Sequence, residues 1–286
     1  MNGVDRAALL PPELAEPLET ALAAGLLTPL GAEVLYFPVA TSTNDLALRL
    51  AERGGADGTI LMADRQTAGR GRGGHDWFSP PDAGLYVSVI VAGEQAAAGS
   101  DGSIEWPRWL TLGTGVALAE GLHAASGLPV SIKWPNDLVI APSGSVPGAR
   151  KLGGILAEAR MDAGRLTHVV VGFGVNVRRS SFPPEISARA TSLEDELGRE
   201  VDRAQVLVAL LRRFAAWLQR LRAGRSAEVV TRWSQLAVGS TGALVEWRDE
   251  GGARRGVTAG IDRTGALTVR TAAGVERIVG GEVTWL

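Results

Sequence analysis

The order of strands and helices predicted for this chain is the feature that most constrains its fold. Two strand-like segments, residues 59–63 and 85–92, follow one another across a Gly/Arg-rich loop with no helix between them. Further strands are predicted at residues 130–134, 138–140, 154–160 and 167–175. Because strands repeatedly follow strands, the strict alternation of a parallel α/β sheet is excluded, and the pattern predicts an α+β fold with a mixed sheet.

Three longer helices are predicted around these strands, and the first 30 residues contain a possible short one. Ser42 followed by Asp45 forms a capping box, so a helix is predicted over residues 42–53. A second helix is predicted over residues 107–125. Over residues 202–221 the apolar side chains recur at i, i+3 and i+4, which is typical of an amphipathic helix.

The pattern changes after residue 236 and divides the chain. Residues 237–286 contain short alternating segments separated by turns rich in Gly and Asp, which are typical of a small β-barrel. We therefore predict an N-terminal extension at residues 1–30, a large α+β domain at residues 31–236 and a barrel module at residues 237–286.

Charge and composition exclude several classes of function. The 286 residues include 29 basic and 31 acidic side chains, giving a net charge of -2 and no long run of one sign, so indiscriminate nucleic-acid binding is not expected. There is no cysteine, and the three histidines are far apart, so neither a thiolate nucleophile nor a histidine-rich metal site is predicted. No apolar run is long enough for a membrane span, and we expect a cytoplasmic protein.

Lysine is scarce in this sequence, and the surviving lysines indicate function. Only two of the 29 basic residues are lysine, Lys133 and Lys151. Arginine and lysine differ in shape and hydration, so a lysine that persists against this bias toward arginine is a candidate for a position where arginine would not serve, and the alternative is chance survival. Asparagine is also scarce: Asn136 is in the same motif as Lys133, and Asn176 ends a separate motif at residues 172–176.

The loop at residues 69–74 has the sequence Gly-Arg-Gly-Arg-Gly-Gly. It formally matches the G-x-G-x-x-G fingerprint of dinucleotide-binding proteins, but that fingerprint requires a helix directly afterwards, and Pro80 and Pro81 are incompatible with one. Two interpretations stay open: a flexible loop whose amides and guanidinium groups hold phosphate or carboxylate, or a mobile surface turn.

Three further segments concentrate the scarce polar residues at strand ends. Residues 133–137 read Lys-Trp-Pro-Asn-Asp, residues 151–154 read Lys-Leu-Gly-Gly before a predicted strand, and residues 172–176 read Gly-Phe-Gly-Val-Asn. Each could be an ordinary turn or bulge. Together their Asp and Asn oxygens are suited to Mg²⁺ on substrate phosphates.

The segments in combination resemble the biotin-protein ligase family. The resemblance rests on the order and spacing of the motifs at residues 42–44, 66–72, 77–80, 84–86, 133–137, 151–156 and 172–176. It implies a catalytic domain with a fold similar to class II aminoacyl-tRNA synthetases, followed by a small SH3-like barrel. It also implies that ATP and Mg²⁺ convert biotin to biotinyl-adenylate, from which biotin passes to a lysine of a carrier domain.

The resemblance implies specific roles for residues of this chain. Lys151 and Arg72 would be catalytic. The biotin-binding set would be Ser42, Thr43, Asn44, Gln66, Arg70, Gly71, Arg72, Tyr86, Lys151 and Gly154. The nucleotide-binding set would be Arg70, Arg72, Trp77, Lys133, Asn136, Asp137, Lys151 and Asn176, with Asp137 and Asn176 serving the metal through the ATP phosphates.

The sequence departs from the family pattern at two places. His75 stands where many relatives have a basic residue, and Asp76 follows it, so the loop carries less positive charge than usual. The stretch before Ser42 is too short for the N-terminal DNA-binding domain of bifunctional relatives, so the ligase-only class is expected, without nucleic-acid or membrane partners and as a monomer or homodimer. The expected partner is the biotin carboxyl carrier domain of acetyl-CoA carboxylase or of another biotin-dependent carboxylase. The alternatives are a lipoate-protein ligase or transferase and a biotin-sensing transcriptional repressor.

Overall fold

A seven-stranded mixed sheet forms the centre of the fold. The computed structural model describes residues 5–93, 106–144, 146–162, 165–180, 182–249 and 252–286. The strand order is β1-β2-β3-β7-β6-β5-β4, in which β1 and β2 are parallel and the other neighbours are antiparallel. The strands are β1 Val34–Ala40, β2 Ile60–Gln66, β3 Gly84–Ala92, β4 Val130–Lys133, β5 Asp137–Ile140, β6 Arg150–Asp162 and β7 Arg165–Asn176.

The helices cover the two faces of this sheet unequally. The helices are α1 Pro12–Ala23, α2 Thr43–Glu52, α3 Leu110–Ser126, α4 Pro184–Ser187, α5 Leu193–Leu197, α6 Arg203–Arg222 and α7 Ser226–Leu236. Helices α3 and α6 pack on each other and build the main core with inward side chains such as Val87, Ile155 and Phe173. Because side chains alternate along a strand, the residues next to each of these in its own strand point to the opposite face of the sheet.

The opposite face of the sheet is covered mainly by α2, and we call it the site face. A small separate cluster that includes Ala47 and Ala51 of α2 packs there against Leu61, Ile90 and Val170 of the sheet. The helix is only 10 residues long. A cleft lies beside its start and is lined there by Ser42, Thr43 and Asn44.

The N-terminal segment is tied to the sheet edge rather than frayed over its described part. Residue Ala8 forms an antiparallel bridge with Tyr36 of β1, and the Asp5 carboxylate accepts a hydrogen bond from the Thr41 amide at 2.6 Å. Thr41 directly precedes Ser42, the N-cap of α2. The extension therefore braces the start of that helix.

A second, five-stranded antiparallel sheet follows α7. Its order is β11-β10-β9-β8-β12. Its strands are β8 Thr241–Asp249, β9 Gly252–Ile261, β10 Leu267–Thr271, β11 Gly274–Ile278 and β12 Val283–Trp285. Its β9–β10 turn contacts the turn between β4 and β5, where the Trp134 indole donates a hydrogen bond to the Gly265 carbonyl at 3.1 Å.

The mixed α+β fold is confirmed, with differences in detail. Residues 151–154 were expected to precede a strand, but they lie inside β6, which begins at Arg150. The second long helix ends at Ser126 because Gly127 adopts the left-handed conformation with φ 77°, one residue beyond the predicted end. Helix α7 was not predicted. Among the described residues no helix is both long and apolar enough to cross a membrane.

Candidate active site

Two glycines of β7 open a notch in the site face. Gly172 and Gly174 point to this face, whereas Phe173 between them points into the main core. A Cβ atom on Gly172 would lie 1.9 Å from Asn44 Oδ1, and one on Gly174 would lie 2.3 Å from Trp77 Nε1. The Gly-x-Gly motif is therefore required for space, and the space is filled by two other sequence-motif residues.

A chain of polar side chains crosses the notch, and we call it the polar chain. Asn44 Nδ2 lies 2.9 Å from Glu158 Oε2, and Asn44 Oδ1 lies 2.6 Å from the Ser88 hydroxyl. Ser88 in turn contacts the Thr43 hydroxyl at 2.8 Å, and Gln66 Oε1 accepts a hydrogen bond from the Thr43 amide at 2.8 Å. Four elements, β6, α2, β3 and β2, are thereby joined at one point.

The hydrogen-bond directions in the polar chain follow from its acceptors. Asn44 donates through Nδ2 to Glu158 and to the Leu156 carbonyl, so its Oδ1 must accept, and Ser88 must donate to it. The Thr43 hydroxyl donates its one proton to Gln66 Oε1 at 3.1 Å. Thr43 therefore presents oxygen lone pairs, and not its proton, to the cleft that it lines.

The Gly/Arg-rich segment is a hydrogen-bonded hairpin turn. The Gly71 amide donates to the His75 carbonyl at 2.6 Å, and the Trp77 amide donates to the Gly69 carbonyl at 2.8 Å. Gly73 has φ 70°, a conformation that favours glycine. The predicted strand, loop, strand order is present, with the turn of the loop at residues 72–74.

The two arginines of this loop point to different partners. Arg70 makes a bidentate ion pair with Glu158, at 3.0 and 2.6 Å, and also contacts Asp45 at 2.7 Å. Burial lowers the pKa of Arg70, but the hydrogen bonds and charges of these carboxylates outweigh it and raise the pKa above its usual value. Arg72 instead donates to the Gly281 carbonyl of the second sheet at 3.3 Å. Within the part of the chain that the structure describes, Arg70 therefore has carboxylate partners and Arg72 has none.

Lys151 of β6 lines the cleft at one end, and Lys133 of β4 lies near this end but outside the lining. Lys151 Nζ is 2.6 Å from Asp137 Oδ1 and 5.3 Å from the centre of the Trp77 ring. Lys133 Nζ lies 4.7 Å from the centre of the Trp285 ring of the second sheet. Burial lowers the pKa of Lys133, against the opposing effect of Asp137. The lysines give this end positive charge.

Two asparagines of the motifs are fixed by backbone carbonyls. Asn136 Nδ2 donates to the Ile155 carbonyl at 2.7 Å, and Asn176 Nδ2 donates to the Thr191 carbonyl at 2.9 Å. Both amides therefore keep Oδ1 available as an acceptor. Among the described residues, no group of three or more His, Cys, Asp or Glu side chains could hold a metal ion.

The cleft is nearly closed by Trp77. Its volume is about 50 Å³, well below the roughly 300 Å³ or more that is usual for small-molecule sites. The Trp77 indole lies over Gly154 and Gly174, and its Nε1–H is buried without a hydrogen-bond partner. A ligand of ordinary size therefore requires the cleft to widen.

Comparison with known proteins identifies the family. Residues 36–176 match the model of the biotin/lipoate A/B protein ligase family. The bifunctional ligase/repressor BirA of Bacillus spizizenii is 32% identical over 256 residues, which cover 89% of this chain and 74% of that protein. The chain belongs to the biotin/lipoate A/B protein ligase family.

Further relatives of this family member are biotin protein ligases. The biotin–[acetyl-CoA-carboxylase] ligase of Paracoccus denitrificans is 31% identical, over 85% of this chain and 96% of that protein. The biotin protein ligase from Aquifex aeolicus, solved in complex with biotin and ATP, superposes with a TM-score of 0.71 at 29% identity and covers 89% of this chain and 99% of its own. The family resemblance read from the motifs is confirmed.

Most of the residues predicted for the site lie together in this family member. Eleven of them line the cleft, namely Ser42, Thr43, Asn44, Gln66, Arg70, Gly71, Arg72, Trp77, Asn136, Lys151 and Gly154. Asp137 is joined to it through the Lys151 ion pair. Tyr86 does not line the cleft; it is buried on the same face of β3 as Ser88, with its hydroxyl donating to the Pro80 carbonyl at 3.0 Å. Lys133 and Asn176 lie outside the lining, and the roles of all these residues remain predictions.

Two residues that the motifs did not reveal belong to the site. Ser88 lies inside a strand and Glu158 follows the Lys-Leu-Gly-Gly segment, and neither is in a recognised motif position. Their polar character at strand positions that face α2 is the only signal in the sequence, and it is stronger for the buried Ser88 than for the half-buried Glu158, because a buried polar side chain requires a partner.

Proposed function

We propose that this chain is an ATP-dependent biotin protein ligase, which activates biotin as biotinyl-5′-AMP and transfers biotin to a lysine of a carrier domain. The observation that carries the proposal is a single cleft with two chemically different ends. One end has the polar chain, in which Thr43 offers an acceptor and Ser42 a hydroxyl. The other end has Lys151 and Arg72.

The polar end suits the ring of biotin. A cyclic urea has two N–H donors and one carbonyl acceptor. The Thr43 oxygen can accept from an N–H group, and Ser42, whose oxygen already accepts from the Asp45 amide at 3.4 Å, keeps its proton to donate to the urea carbonyl. A lipoyl ring has no hydrogen-bonding N–H or C=O group, so it would leave these polar atoms unpaired, at a cost of about 1–3 kcal/mol for each.

The cationic end suits activation of the carboxylate. A carboxylate oxygen of biotin attacks the α-phosphorus of ATP, the bond from that phosphorus to the bridging oxygen breaks, and pyrophosphate leaves. Negative charge increases on the α-phosphate oxygens as this happens. Lys151 and Arg72 are positioned at the cleft to stabilise that charge, and a compact ammonium that can leave Asp137 for the phosphate fits the role of Lys151.

Asp137 and Asn176 fit a Mg²⁺ ion that arrives with ATP. Their side chains supply a carboxylate and an amide oxygen, the donors that Mg²⁺ prefers, and Asn176 keeps Oδ1 available because its Nδ2 is engaged. Two protein ligands are too few for a metal cage, so phosphate and water must complete the coordination. When bound, the ion would neutralise phosphate charge.

In the second step the acceptor lysine replaces AMP. Its neutral amine attacks the acyl carbon of biotinyl-AMP, the bond from that carbon to the phosphate oxygen breaks, AMP leaves, and the amine loses a proton to solvent. The mixed anhydride is sensitive to water, so the hairpin at residues 69–77 must cover it until the carrier arrives.

Finer features belong to the same proposal. We assign the catalytic domain at residues 31–236 a fold similar to class II aminoacyl-tRNA synthetases, and residues 237–286 an SH3-like barrel, supported by five short antiparallel strands. The partner is a biotin carboxyl carrier domain, of acetyl-CoA carboxylase or of another biotin-dependent carboxylase. The net charge of -2 supports action without nucleic acid, and the absence of cysteine suits the cytoplasm. The working unit is a monomer or a homodimer.

One assay tests the proposal. The protein is incubated with ATP, Mg²⁺, a biotin carrier domain and either biotin or lipoate, and the mass of the carrier is measured. We expect the mass of one biotinyl group on one lysine, dependent on ATP, and no lipoyl group. A lipoylated carrier, or an unmodified one in the presence of biotinyl-AMP formed by this protein, would overturn the assignment.

A further inference from the structure

We infer that Glu158 is a positioning residue for the proposed ligase reaction. Its carboxylate joins the Gly/Arg loop to the urea-binding end of the cleft. The inference rests on the proposed function. Glu158 is in β6, outside the motifs, and its carboxylate is the only group in the described residues that contacts both Arg70 and Asn44.

The geometry gives the carboxylate two tasks at once. Glu158 Oε1 accepts from Arg70 Nη1, and Glu158 Oε2 accepts both from Arg70 Nη2 and from Asn44 Nδ2. A bidentate guanidinium pair fixes the plane of the carboxylate, and this plane sets the direction from which Asn44 must donate. Arg70 and Asn44 are therefore held in one mutual orientation, although one is in the loop and the other is in α2.

Glu158 affects substrate binding because it fixes the orientation of side chains at the urea-binding end of the cleft. With Nδ2 committed to Glu158 and the Leu156 carbonyl, Asn44 accepts from the Ser88 hydroxyl, which also contacts the Thr43 hydroxyl at 2.8 Å, so two cleft-lining side chains are tied to this carboxylate. Loss of the stronger acceptor loosens the amide and leaves only the longer contact of 3.2 Å to Leu156. The urea-binding end then loses its fixed pattern of donors and acceptors.

The charge has a second effect, on the loop. Arg70 is shared by Glu158 and Asp45, so its guanidinium is held against the site face and its backbone carries the hairpin over the cleft. Removing one carboxylate leaves Arg70 attached to Asp45 alone, at the first turn of α2. The hairpin should then open more often and release the adenylate.

The test uses Glu158→Gln, which keeps the shape and removes the charge, and Glu158→Asp, which keeps the charge but is one methylene too short to reach both partners. Glu52→Gln is the matched control, because the Glu52–Arg160 ion pair at 2.5 Å joins the same elements, α2 and β6, outside the cleft. Measured are KM for biotin, the rate of biotinyl-AMP release into solution, and the rate of transfer to the carrier from added biotinyl-AMP.

We expect both Glu158 variants to raise KM for biotin and adenylate release by about tenfold, the effect of one charge-assisted hydrogen bond, with unchanged maximal transfer from saturating biotinyl-AMP. Glu52→Gln should match the wild type. Arg70→Gln should raise adenylate release in the wild type but add little in Glu158→Gln, because contacting residues are not additive.

The two possible failures are distinguishable. A wild-type protein that makes no biotinyl-AMP overturns the proposed function. A wild-type protein that does make it, with Glu158→Gln indistinguishable from Glu52→Gln, overturns the role of Glu158 alone. Additive effects of Arg70→Gln and Glu158→Gln would likewise show that the carboxylate does not act through the loop arginine.

Discussion

A methyl group at Gly172 is expected to disrupt the site from within. In Gly172→Ala the new Cβ would lie 1.9 Å from Asn44 Oδ1 and 2.7 Å from its Cγ, so the buried amide has to move. Asn44 makes two neutral hydrogen bonds, with Ser88 and Leu156, and one with the charged Glu158. Neutral bonds are worth about 0.5–1.5 kcal/mol and charged ones about 1.5–3 kcal/mol, so losing all three would cost roughly 2.5–6 kcal/mol.

Two effects reduce this cost. Replacing glycine by alanine lowers the entropy of the unfolded chain, which returns about 0.4–1 kcal/mol, and Asn44 should keep part of one hydrogen bond. We therefore expect the free energy of unfolding to fall by about 2–4 kcal/mol and the Kd for biotin to rise at least about tenfold, that is by about 1.4 kcal/mol.

Urea unfolding and titration calorimetry with biotin measure the two quantities. Gly115→Ala is the control, because its Cβ would meet Ile132 at 3.5 Å, an ordinary contact, inside α3. That variant should be as stable as the wild type or gain about 0.5–1 kcal/mol from helix propensity. If Gly172→Ala is as stable as Gly115→Ala and binds biotin as the wild type does, Asn44 is not held as described and the reasoning is refuted.

Three further outcomes are expected. Lys151→Arg should lower the rate of biotinyl-AMP formation on the order of 10²-fold although the charge is kept, because a planar guanidinium cannot replace the ammonium 2.6 Å from Asp137. The rate of pyrophosphate release measures this effect. Near-normal turnover would remove Lys151 from the mechanism. Trypsin should cut the free protein after Arg72 faster than after Arg70, because Arg70 is held by two carboxylates. Biotin with ATP should slow both cuts. Mass spectrometry of the fragments gives the order of cleavage, and cleavage unaffected by ligands would show that the hairpin is not a lid. At alkaline pH, ATP binding should be accompanied by proton uptake, because burial lowers the pKa of Lys133 in the free protein and a nearby polyphosphate would raise it. Calorimetry in buffers of different ionisation enthalpy detects this uptake. It should vanish in Lys133→Met.

The parts of the fold that depend on neighbouring residues were predictable from the sequence. Ser42 caps α2 with Asp45, as the capping box indicates, and Asp202 caps α6, whose apolar spacing predicted an amphipathic helix. Helix α7 was missed because its only fully buried side chains are Val229 and Trp233, too few for a periodic signal.

The parts that depend on strand register were not predictable. Gly172 lies opposite Ser88 on one side and Leu156 on the other, and this pairing brings Ser88 and Glu158 to Asn44. No local pattern specifies which strands become neighbours across a sheet. The glycines at 153–154 resembled a turn for a related reason, since the close approach that requires them, to Gly174 and to Trp77, is visible only in three dimensions.

Because of the strand order, β3 is synthesised well before it can pair with both of its neighbours in the sheet. Strand β3 leaves the ribosome long before its partner β7, because β4, β5 and β6 are made in between. Until then the β3 edge carries unpaired backbone groups and an apolar surface, which is a hazard for aggregation and a natural place for a chaperone to bind. The notch beside Gly172 and Gly174 does not exist in that period. A nascent chain therefore passes through a stage in which it can misassemble but cannot yet hold its substrates.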